Sequence, residues 1–324
     1  MKYAKLGQTD IEVSRLCIGG LSFGEHIKGG HQWLLSQHET TEMIAHAYDM
    51  GVNFIDTSNN YAKGTSEQFI GKALKDLAIP RDRIVVATKV FFNEGNLKKE
   101  AILREIDGSL ERLGLDYVDL YQIHRFDYNT PIEETMAALD SLVKAGKVRA
   151  LGASAMYGYQ LHNMQNIAKE HGWTQFSTMQ NHYNLLYRED ERELIPVCRQ
   201  FGMSLIPFSP LAAGHLAHLG WDSGTLRNKT DQIAIEKYDS TKDSDILIVD
   251  RVAEIANKYH VSMSEVALAW HYAKGVTAPI VGATKMNHFD QAIKACDLKL
   301  SQDDVTYLEE LYRPHELVGL IKAQ

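Results

Sequence analysis

Four ionisable side chains have the types and spacing to reduce a carbonyl group together. Asp56, Lys89 and His124 each stand at the end of a short apolar or β-branched run, and Tyr61 lies five positions after Asp56. Hydride transfer to a carbonyl develops negative charge on the substrate oxygen, so the reaction needs an acid and hydrogen-bond donors beside that oxygen. The four residue types supply both.

Each of the four side chains has a specific part in this hypothesis. The ordinary pKa of a tyrosine is about 10, and an adjacent ammonium lowers it by favouring the phenolate. Lys89 is the predicted ammonium, Asp56 holds Lys89 charged through a salt bridge, and His124 donates a hydrogen bond to the carbonyl. Purely structural roles are the alternative, because a strand-end Asp often caps a helix or forms a turn, and a strand-end Lys can simply extend into solvent.

The hydrophobic periodicity predicts the frame that would position these side chains. Short apolar runs alternate with longer amphipathic segments almost to the C-terminus. The predicted strands are Arg15–Ile18, Val52–Ile55, Arg83–Lys89, Tyr117–Ile123, Val148–Ala153, Phe176–Gln180, Met203–Pro207 and Pro279–Val281. The predicted helices include Glu39–Met50, Thr65–Leu77, Lys99–Leu113, Ile132–Ala145, Tyr159–His171, Glu189–Gln200, Ile246–Tyr259 and His288–Ala295. Eight such units pair in parallel and close into a (β/α)8 TIM barrel, an α/β fold whose chemistry lies at the C-terminal strand ends.

Two segments extend the minimal barrel. Lys2–Val13 alternates around a turn at Gly7–Asp10, which predicts an N-terminal β-hairpin that could cap the barrel floor. Ser209–Asp245 is polar and too long for a simple connector, so we expect a long catalytic-face loop that covers substrate or cofactor. No shift of composition divides the chain, which predicts one domain over residues 1–324.

Charge and apolar content exclude several classes of function. The chain has 324 residues and a formal net charge of −8 without a long Lys or Arg run, which argues against a nucleic-acid-binding surface. No segment approaches the ~18 consecutive apolar residues of a membrane helix, and the first residues lack the apolar stretch of a signal peptide. We therefore expect a cytoplasmic protein that binds neither nucleic acid nor membranes.

The cysteines and histidines do not form a metal-binding pattern. Cys17, Cys198 and Cys296 are far apart and include no CxxC pair, so we expect three buried structural thiols. The 14 His residues are scattered and include no HExxH, which leaves a metal-dependent hydrolase without support. No metal site is predicted.

Two segments match the signatures of one family. Gly51–Tyr61, with the sequence GVNFIDTSNNY, resembles the G-x-x-x-x-D-T-A-x-x-Y signature of the aldo-keto reductase superfamily, with Ser58 in place of Ala. Leu113–His124, with the sequence LGLDYVDLYQIH, resembles its L-x-x-D-Y-x-D-L-x-x-x-H signature. Within the superfamily, Gln122–Arg125 and Asp127–Thr135 make the chain most similar to bacterial reductases of the YajO type.

The resemblance implies an NADP(H)-dependent oxidoreductase that reduces aldehydes or ketones to alcohols. It assigns Tyr61 as general acid, Lys89 and Asp56 as its tuning pair, and His124 as the carbonyl-orienting group. The implied partner is a small-molecule carbonyl compound. The sequence neither requires nor excludes a homo-oligomer.

The resemblance also implies the cofactor contacts. Ser154 and Gln180 match residues that hold the nicotinamide carboxamide, and Phe208 matches the aromatic residue that stacks on the nicotinamide ring. Lys285 supplies the cation expected for the 2′-phosphate of NADP. The full implied set is Gly20, Asp56, Ser154, Gln180, Phe208, Ser209, Pro210, Leu211, Gly214, Gly282, Thr284, Lys285, His288 and Gln291.

Details of this set carry further expectations. Ser209-Pro210-Leu211 is expected to surround the pyrophosphate, with backbone amides as anion donors. His288 and Gln291 are expected on the first turn of the following helix, near the 2′-phosphate and the adenine. Ala155 departs from the family pattern because many relatives have Asn after the matching Ser.

Two other functions stay open at this point. A barrel lysine such as Lys89 can form a Schiff base in an aldolase-type lyase, although that mechanism does not need Tyr61 and His124. An NADP-binding, redox-sensing regulatory subunit with slow turnover would also keep all four residues.

The substrate, the preferred direction of reaction and the strength of the NADPH preference are not determined by the sequence. Aromatic residues on the expected catalytic-face loops suit an apolar or aromatic aldehyde, whereas the nearby His residues and Arg125 suit a polar, sugar-like substrate. The loop residues expected to shape the pocket are His31, Trp33, Phe91, Phe92, Met156 and Tyr157, together with Ser209–Asp245.

Overall fold

Eight parallel strands form the central sheet. The computed structural model describes residues 1–27, 30–222 and 224–321. Its strands are β1 (Tyr3–Lys5), β2 (Glu12–Ser14), β3 (Cys17–Gly19), β4 (Phe54–Asp56), β5 (Val85–Val90), β6 (Val118–Ile123), β7 (Val148–Ser154), β8 (Phe176–Gln180), β9 (Ser204–Leu205) and β10 (Ile280–Val281). Strands β3 to β9 follow one another in the sheet, and β10 pairs with β3. All eight predicted barrel strands are present, with ends that differ by a few residues.

Backbone hydrogen bonds join the two ends of this sheet. The amide of Thr277 donates to the Leu205 carbonyl (2.9 Å), and the amide of Ile280 donates to the Pro207 carbonyl (2.9 Å). A parallel sheet that closes on itself is filled by its own inward side chains and carries its chemistry at the C-terminal ends of its strands. The predicted (β/α)8 barrel is confirmed.

Helices surround the barrel, and most of them bury one face. They are α1 (Gln37–Asp49), α2 (Thr65–Asp76), α3 (Lys99–Leu113), α4 (Ile132–Lys144), α5 (Gly158–His171), α6 (Leu194–Gln200), α7 (Leu226–Thr230), α8 (Gln232–Tyr238), α9 (Lys242–Tyr259), α10 (Met263–Ala273), α11 (Met286–Ala295) and α12 (Gln302–Glu309). In α2, for example, Ile70, Ala73 and Leu74 are buried while Lys72 is exposed. This i, i+3, i+4 spacing places one apolar stripe against the sheet.

Local sequence signals set several helix ends. Gly172 ends α5 in the left-handed region (φ 66°), where a residue without Cβ is not strained. At the start of α10, the Ser262 hydroxyl accepts from the Glu265 amide and the Glu265 side chain accepts from the Ser262 amide. This confirms the predicted capping box.

The predicted helix Glu189–Gln200 is wrong as a single element. The structure has a 3₁₀ turn at Glu189–Glu191 and then α6, which starts at Leu194. Pro196 explains the break because it has no amide to donate to the carbonyl of Arg192, so it is tolerated only in the first turn of a helix.

The predicted loop Ser209–Asp245 is also more ordered than expected. It contains α7 and α8, and α9 begins at Lys242 rather than at Ile246. Side-chain caps start both short helices: Thr225 accepts from the Asn228 amide and Asp231 accepts from the Ala234 amide. These caps satisfy backbone donors that a short helix would otherwise leave free.

The N-terminal hairpin closes the floor of the barrel. Strands β1 and β2 pair antiparallel, and the Gly7 amide at their turn donates to Ser204 Oγ (2.7 Å). Leu6, Ile11 and Val13 of the hairpin pack in one buried cluster with inward residues of the barrel strands. The predicted hairpin and its position are confirmed.

The cysteines differ from expectation at one position. Cys17 and Cys198 are buried, but Cys296 is only partly buried because it ends α11 near the surface. All three are free thiols.

Candidate active site

Neighbouring strands deliver the four predicted catalytic residues to one end of the barrel. Asp56 ends β4, Lys89 lies near the end of β5, and His124 directly follows β6. Tyr61 begins a 3₁₀ helix, Tyr61–Gly64, in the loop between β4 and α2. The structure brings these four side chains together.

Lys89 is the centre of this group. Its Nζ donates to Asp56 Oδ2 (2.6 Å), to the Thr57 carbonyl (2.7 Å) and to Tyr61 OH (3.3 Å). The Lys89 side chain has no exposed surface, and the Asp56 side chain is 3% exposed. A buried ammonium needs such a counter-ion and further acceptors, because burial of an unpaired charge is costly.

Two glutamine side chains donate hydrogen bonds to Asp56, and neither contact was predicted from the sequence. Gln122 Nε2 and Gln180 Nε2 both donate to Asp56 Oδ1, at 2.8 and 2.9 Å. Gln122 lies two residues before His124, so the strand period of two places both side chains toward the barrel axis. This alternation could have predicted that the Gln122 side chain faces the site.

Gly152 makes room for this layer of side chains. A Cβ on Gly152 would lie 2.4 Å from Thr178 Oγ1 and 2.9 Å from Gln122 Cγ. Side chains on adjacent parallel strands share the barrel interior, so a small residue on β7 lets the larger ones on β6 and β8 pack across it.

The electrostatics of the Lys89 and Tyr61 pair correct one expectation. Burial alone would lower the pKa of Lys89, but Asp56 and Tyr61 outweigh burial and raise it, so Lys89 stays charged. Burial raises the pKa of Tyr61, with Asp56 adding to the rise, and the opposing effect of Lys89 does not reverse it. Lys89 lowers the pKa of Tyr61, as predicted, but the net shift is upward because the cost of burying a phenolate exceeds the gain from one ammonium. Tyr61 is a protonated phenol at neutral pH.

His124 is a neutral imidazole. Burial, together with the positive charges of Lys89 and Arg125, holds the pKa of His124 well below its usual value. Its ring lies edge-on to Tyr61, with 5.8 Å between centroids, and edge-on to Phe92 at 4.9 Å. Its Nδ1 lies 3.2 Å from Ser58 Oγ. The Ser58 hydroxyl also lies 2.6 Å from Asn60 Oδ1, so its one proton goes either to Asn60 or to His124 Nδ1. Only in the second case does the ring proton lie on Nε2.

Several residues implied to hold the nicotinamide lie around the same strand ends. Ser154 Oγ donates to the Gln180 carbonyl (2.7 Å), and Gln180 Nε2 is bound to Asp56, so Gln180 Oε1 remains as an acceptor. Phe208 follows β9 and is partly exposed. Ala155 has a left-handed backbone (φ 41°), a conformation that Asn tolerates better than Ala.

The segment after Phe208 has an unusual backbone. Ser209, Ala212 and Ala213 have φ of 53°, 48° and 56°, and Gly214 has φ of 112°. Non-glycine residues in this region are strained, and such strain is concentrated at functional sites. Successive amides in alternating right- and left-handed conformations form anion-binding concavities. The pyrophosphate role of this segment stays a prediction.

The implied 2′-phosphate segment follows β10, which pairs with β3. Gly282, Thr284 and Lys285 are exposed, and a Cβ on Gly282 would meet no described atom within 4 Å. Lys285 precedes α11, and His288 lies on its first turn. Gln291 was expected there too but lies one turn further on, because α11 starts two residues earlier than predicted.

Gly20 is buried rather than open to a ligand. A Cβ on Gly20 would lie 2.9 Å from the Asp56 carbonyl oxygen. Its contact with the cofactor stays a prediction, and its close packing against β4 is the structural reason for a glycine.

The mouth of the site includes loop residues from several elements. Phe92 lies there, with its ring 4.9 Å from that of His124. Trp33 is buried, and the Arg227 guanidinium of α7 lies 4.5 Å from its ring centroid. Met156 is buried in the core and does not line the mouth. Lys237 on α8 was missed, because nothing in the local sequence indicates which helix of a long loop turns inward.

Two other findings concern the described residues as a whole. No group of three or more His, Cys, Asp or Glu side chains among them could hold a metal ion. None of the helices in residues 1–27, 30–222 and 224–321 is long and apolar enough to cross a membrane.

Fold and site together define a (β/α)8 barrel with a Tyr, Lys, Asp and His group at its C-terminal strand ends. The family model described as "Aldo/keto reductase family" matches residues 15–313. The chain belongs to this family and is an oxidoreductase.

Individual relatives match over nearly the whole chain. The versiconal hemiacetal acetate reductase of Aspergillus parasiticus is 41% identical, covering 97% of this chain and 98% of its own. An aldo-keto reductase of Metarhizium robertsii is 39% identical, covering 98% of this chain and 92% of its own. The crystal structure of a thermostable aldo-keto reductase in complex with the inhibitor epalrestat has a TM-score of 0.76 at 28% identity, covering 96% of this chain and 100% of that one. Both named curated relatives are fungal, and the similarity to bacterial YajO-type reductases stays a prediction.

Proposed function

We propose that this protein reduces aldehydes or ketones to alcohols with NADPH, and that Tyr61 donates the proton. The observation that carries the proposal is the contact of the buried Lys89 Nζ with both Asp56 Oδ2 (2.6 Å) and Tyr61 OH (3.3 Å). The Aspergillus relative, which is named as a reductase, supports the direction of the reaction.

The residues present fit a nicotinamide dinucleotide phosphate. Ser154 and Gln180 would hold the carboxamide, Phe208 the ring, and the strained backbone from Ser209 to Gly214 the pyrophosphate. Lys285 would bind the 2′-phosphate, since its ammonium makes no hydrogen bond or ion pair with a described residue, although its carbonyl accepts from the His288 amide. When bound, NADPH supplies the hydride.

The side chains of this protein supply the proton and the charge stabilisation. Tyr61 is protonated at neutral pH and gives its proton to the substrate oxygen as negative charge develops there. Lys89, which stays charged, then stabilises the phenolate that is left 3.3 Å away. Asp56 compensates the charge of Lys89 so that it can remain buried. His124 is neutral, and with its ring proton on Nε2 it would donate to the carbonyl oxygen.

Replacement of the proton donor tests this proposal. Tyr61→Phe keeps the ring but removes the acid, so kcat for an aromatic aldehyde should fall about 100- to 10,000-fold, the usual contribution of general acid catalysis. NADPH affinity, measured by fluorescence titration, should stay within a few-fold. Tyr307→Phe is a matched control, because Tyr307 lies on α12 and its hydroxyl contacts Glu254 on the surface.

The same titrations test the cofactor. Wild-type protein should bind NADPH more tightly than NADH, and Lys285→Met should remove most of that difference. Unchanged turnover by Tyr61→Phe would refute the role of Tyr61. NADPH binding without turnover on a broad aldehyde panel would favour the regulatory-subunit alternative, and no binding of either nucleotide would refute the cofactor assignment.

Three further assignments remain proposals. We propose one domain over residues 1–324, supported by the family match to residues 15–313. A cytoplasmic location stays a prediction from the sequence, which neither requires nor excludes a homo-oligomer.

A further inference from the structure

Three nitrogen-bearing side chains, none of which forms an ion pair with a described carboxylate, lie next to His124 or Phe208. The first is Arg125, which directly follows His124. Its Nη1 donates to the His124 carbonyl (2.6 Å), and its guanidinium carbon lies 5.6 Å from the Phe92 ring centroid. Arg125 forms no ion pair with a residue that the structure describes, so its charge is not compensated by a carboxylate.

The second is Lys237 on helix α8. Its Nζ lies 4.9 Å from the ring centroid of Phe208, and it makes no hydrogen bond or ion pair within the described part of the chain. Asp231, the acid at the start of α8, partly offsets the charge of Lys237 but forms its ion pair with Arg227 (3.1 Å).

The third is His182, which is 4% exposed. Its ring is stacked on Phe208, with 5.3 Å between centroids and 8° between planes. Its Nε2 is bound to Tyr238 OH (2.8 Å), whereas Nδ1 is buried with no hydrogen-bond partner. A buried polar atom of this kind costs free energy unless something binds it.

The three groups act on one another electrostatically. Burial lowers the pKa of His182, and the positive charges of Lys237 and Arg125 lower it further. Burial lowers the pKa of Lys237 to about 8, and Arg125 contributes to that shift. Uncompensated positive charge at a partly buried site is complementary to an anion. An arginine fork in particular matches the two oxygens of a carboxylate.

We propose that Arg125, Lys237 and His182 bind an anionic group on the substrate, so that the preferred substrates are aldehydes or ketones that carry a carboxylate or similar anion away from the reacting carbonyl. This inference rests on the proposed reductase function. It names the class of substrate and adds specificity-determining residues that do not take part in the proton transfer.

Matched aldehydes that differ by one charge test the proposal. The probes are 3- and 4-formylbenzoate, each compared with its methyl ester, with NADPH consumption as the assay. For at least one pair, we expect kcat/KM of wild-type protein to be about tenfold or more higher for the acid, as hydrogen bonds to a charged group would give. Added salt should reduce that ratio.

Variants assign the effect to these side chains. Lys237→Met keeps the length of the side chain but removes the charge, so the acid-to-ester ratio should fall about tenfold. Lys237→Glu should reverse the preference toward 4-(trimethylammonio)benzaldehyde. Lys229→Met is the control, because Lys229 is an exposed lysine on α7 and its loss should leave the ratio unchanged.

The outcomes separate this inference from the proposed function. If wild-type protein reduces neither acids nor esters, the reductase proposal fails. If it reduces esters and acids equally well, or if Lys237→Met leaves the ratio unchanged, only the anion site is refuted. Lys237→Met could instead raise the KM for NADPH and leave the acid-to-ester ratio constant. That result would assign Lys237 to the cofactor phosphates and overturn the inference.

Discussion

Replacement of Asp56 by Asn should destabilise the protein far more than the same change in a surface ion pair of equal length. Asp56 Oδ2 lies 2.6 Å from Lys89 Nζ, and Asp76 Oδ2 lies 2.7 Å from Lys72 Nζ. The two pairs differ in burial: the Lys89 and Asp56 side chains are 0% and 3% exposed, whereas those of Lys72 and Asp76 are 58% and 43% exposed.

The expected magnitude follows from what each change leaves behind. In Asp56→Asn, the Lys89 ammonium keeps the Thr57 carbonyl and Tyr61 OH but loses its counter-ion, and the new amide presents a donor to another donor. An uncompensated buried charge costs about 3–5 kcal/mol. An exposed pair contributes less than about 1 kcal/mol, because water already solvates both charges.

Urea unfolding followed by tryptophan fluorescence measures the difference. We expect the midpoint to fall strongly for Asp56→Asn and hardly at all for Asp76→Asn, with the same dependence on urea concentration. The double variant Asp56→Asn/Lys89→Met should recover much of the lost stability, since it removes the unpaired charge, but it should not recover activity.

Equal midpoints for the two Asn variants would refute this reasoning. So would a double variant as unstable as Asp56→Asn, because the loss would then arise from the hydrogen bonds of Gln122 and Gln180 rather than from the charge of Lys89.

Two further predictions concern packing and pH. Gly152→Ala should lower the free energy of unfolding by about 1–3 kcal/mol, because its Cβ would press on Thr178 and Gln122, whereas Gly282→Ala, in open space, should not; equal urea midpoints would contradict this. Because the pKa of Tyr61 is raised above its ordinary value of about 10, the phenol keeps its proton through the neutral range. Reduction should therefore be independent of pH until strongly alkaline conditions, while oxidation of the alcohol, which needs the phenolate, should rise with pH; a fall in the kcat of reduction between pH 6 and 8 would contradict the assignment.

The barrel was predictable because its signals are local. Strand and helix periods, the Ser262 cap and the turn of the N-terminal hairpin each depend on residues a few positions apart, and the structure confirms them. The wrong predictions also have local causes. Periodicity predicted one helix where Pro196 causes a break, and the segment predicted as a polar loop contains two short helices capped by Thr225 and Asp231.

The sequence by itself determined the eight strand and helix units and the identity of Asp56, Tyr61, Lys89 and His124 as a group. These side chains lie close together because the barrel places their strand ends side by side. Their proximity could therefore be predicted only together with the barrel topology. Both were available from sequence because the C-terminal ends of parallel strands meet at one rim.

Only the tertiary structure decided how the group is supported and charged. That Gln122 and Gln180 hold Asp56, and that Lys237 reaches Phe208, depends on packing between segments far apart in the chain. The sign of the Tyr61 pKa shift likewise depends on a balance between burial and the charge of Lys89. Burial is a property of the whole packed molecule, and no local spacing of residues contains it.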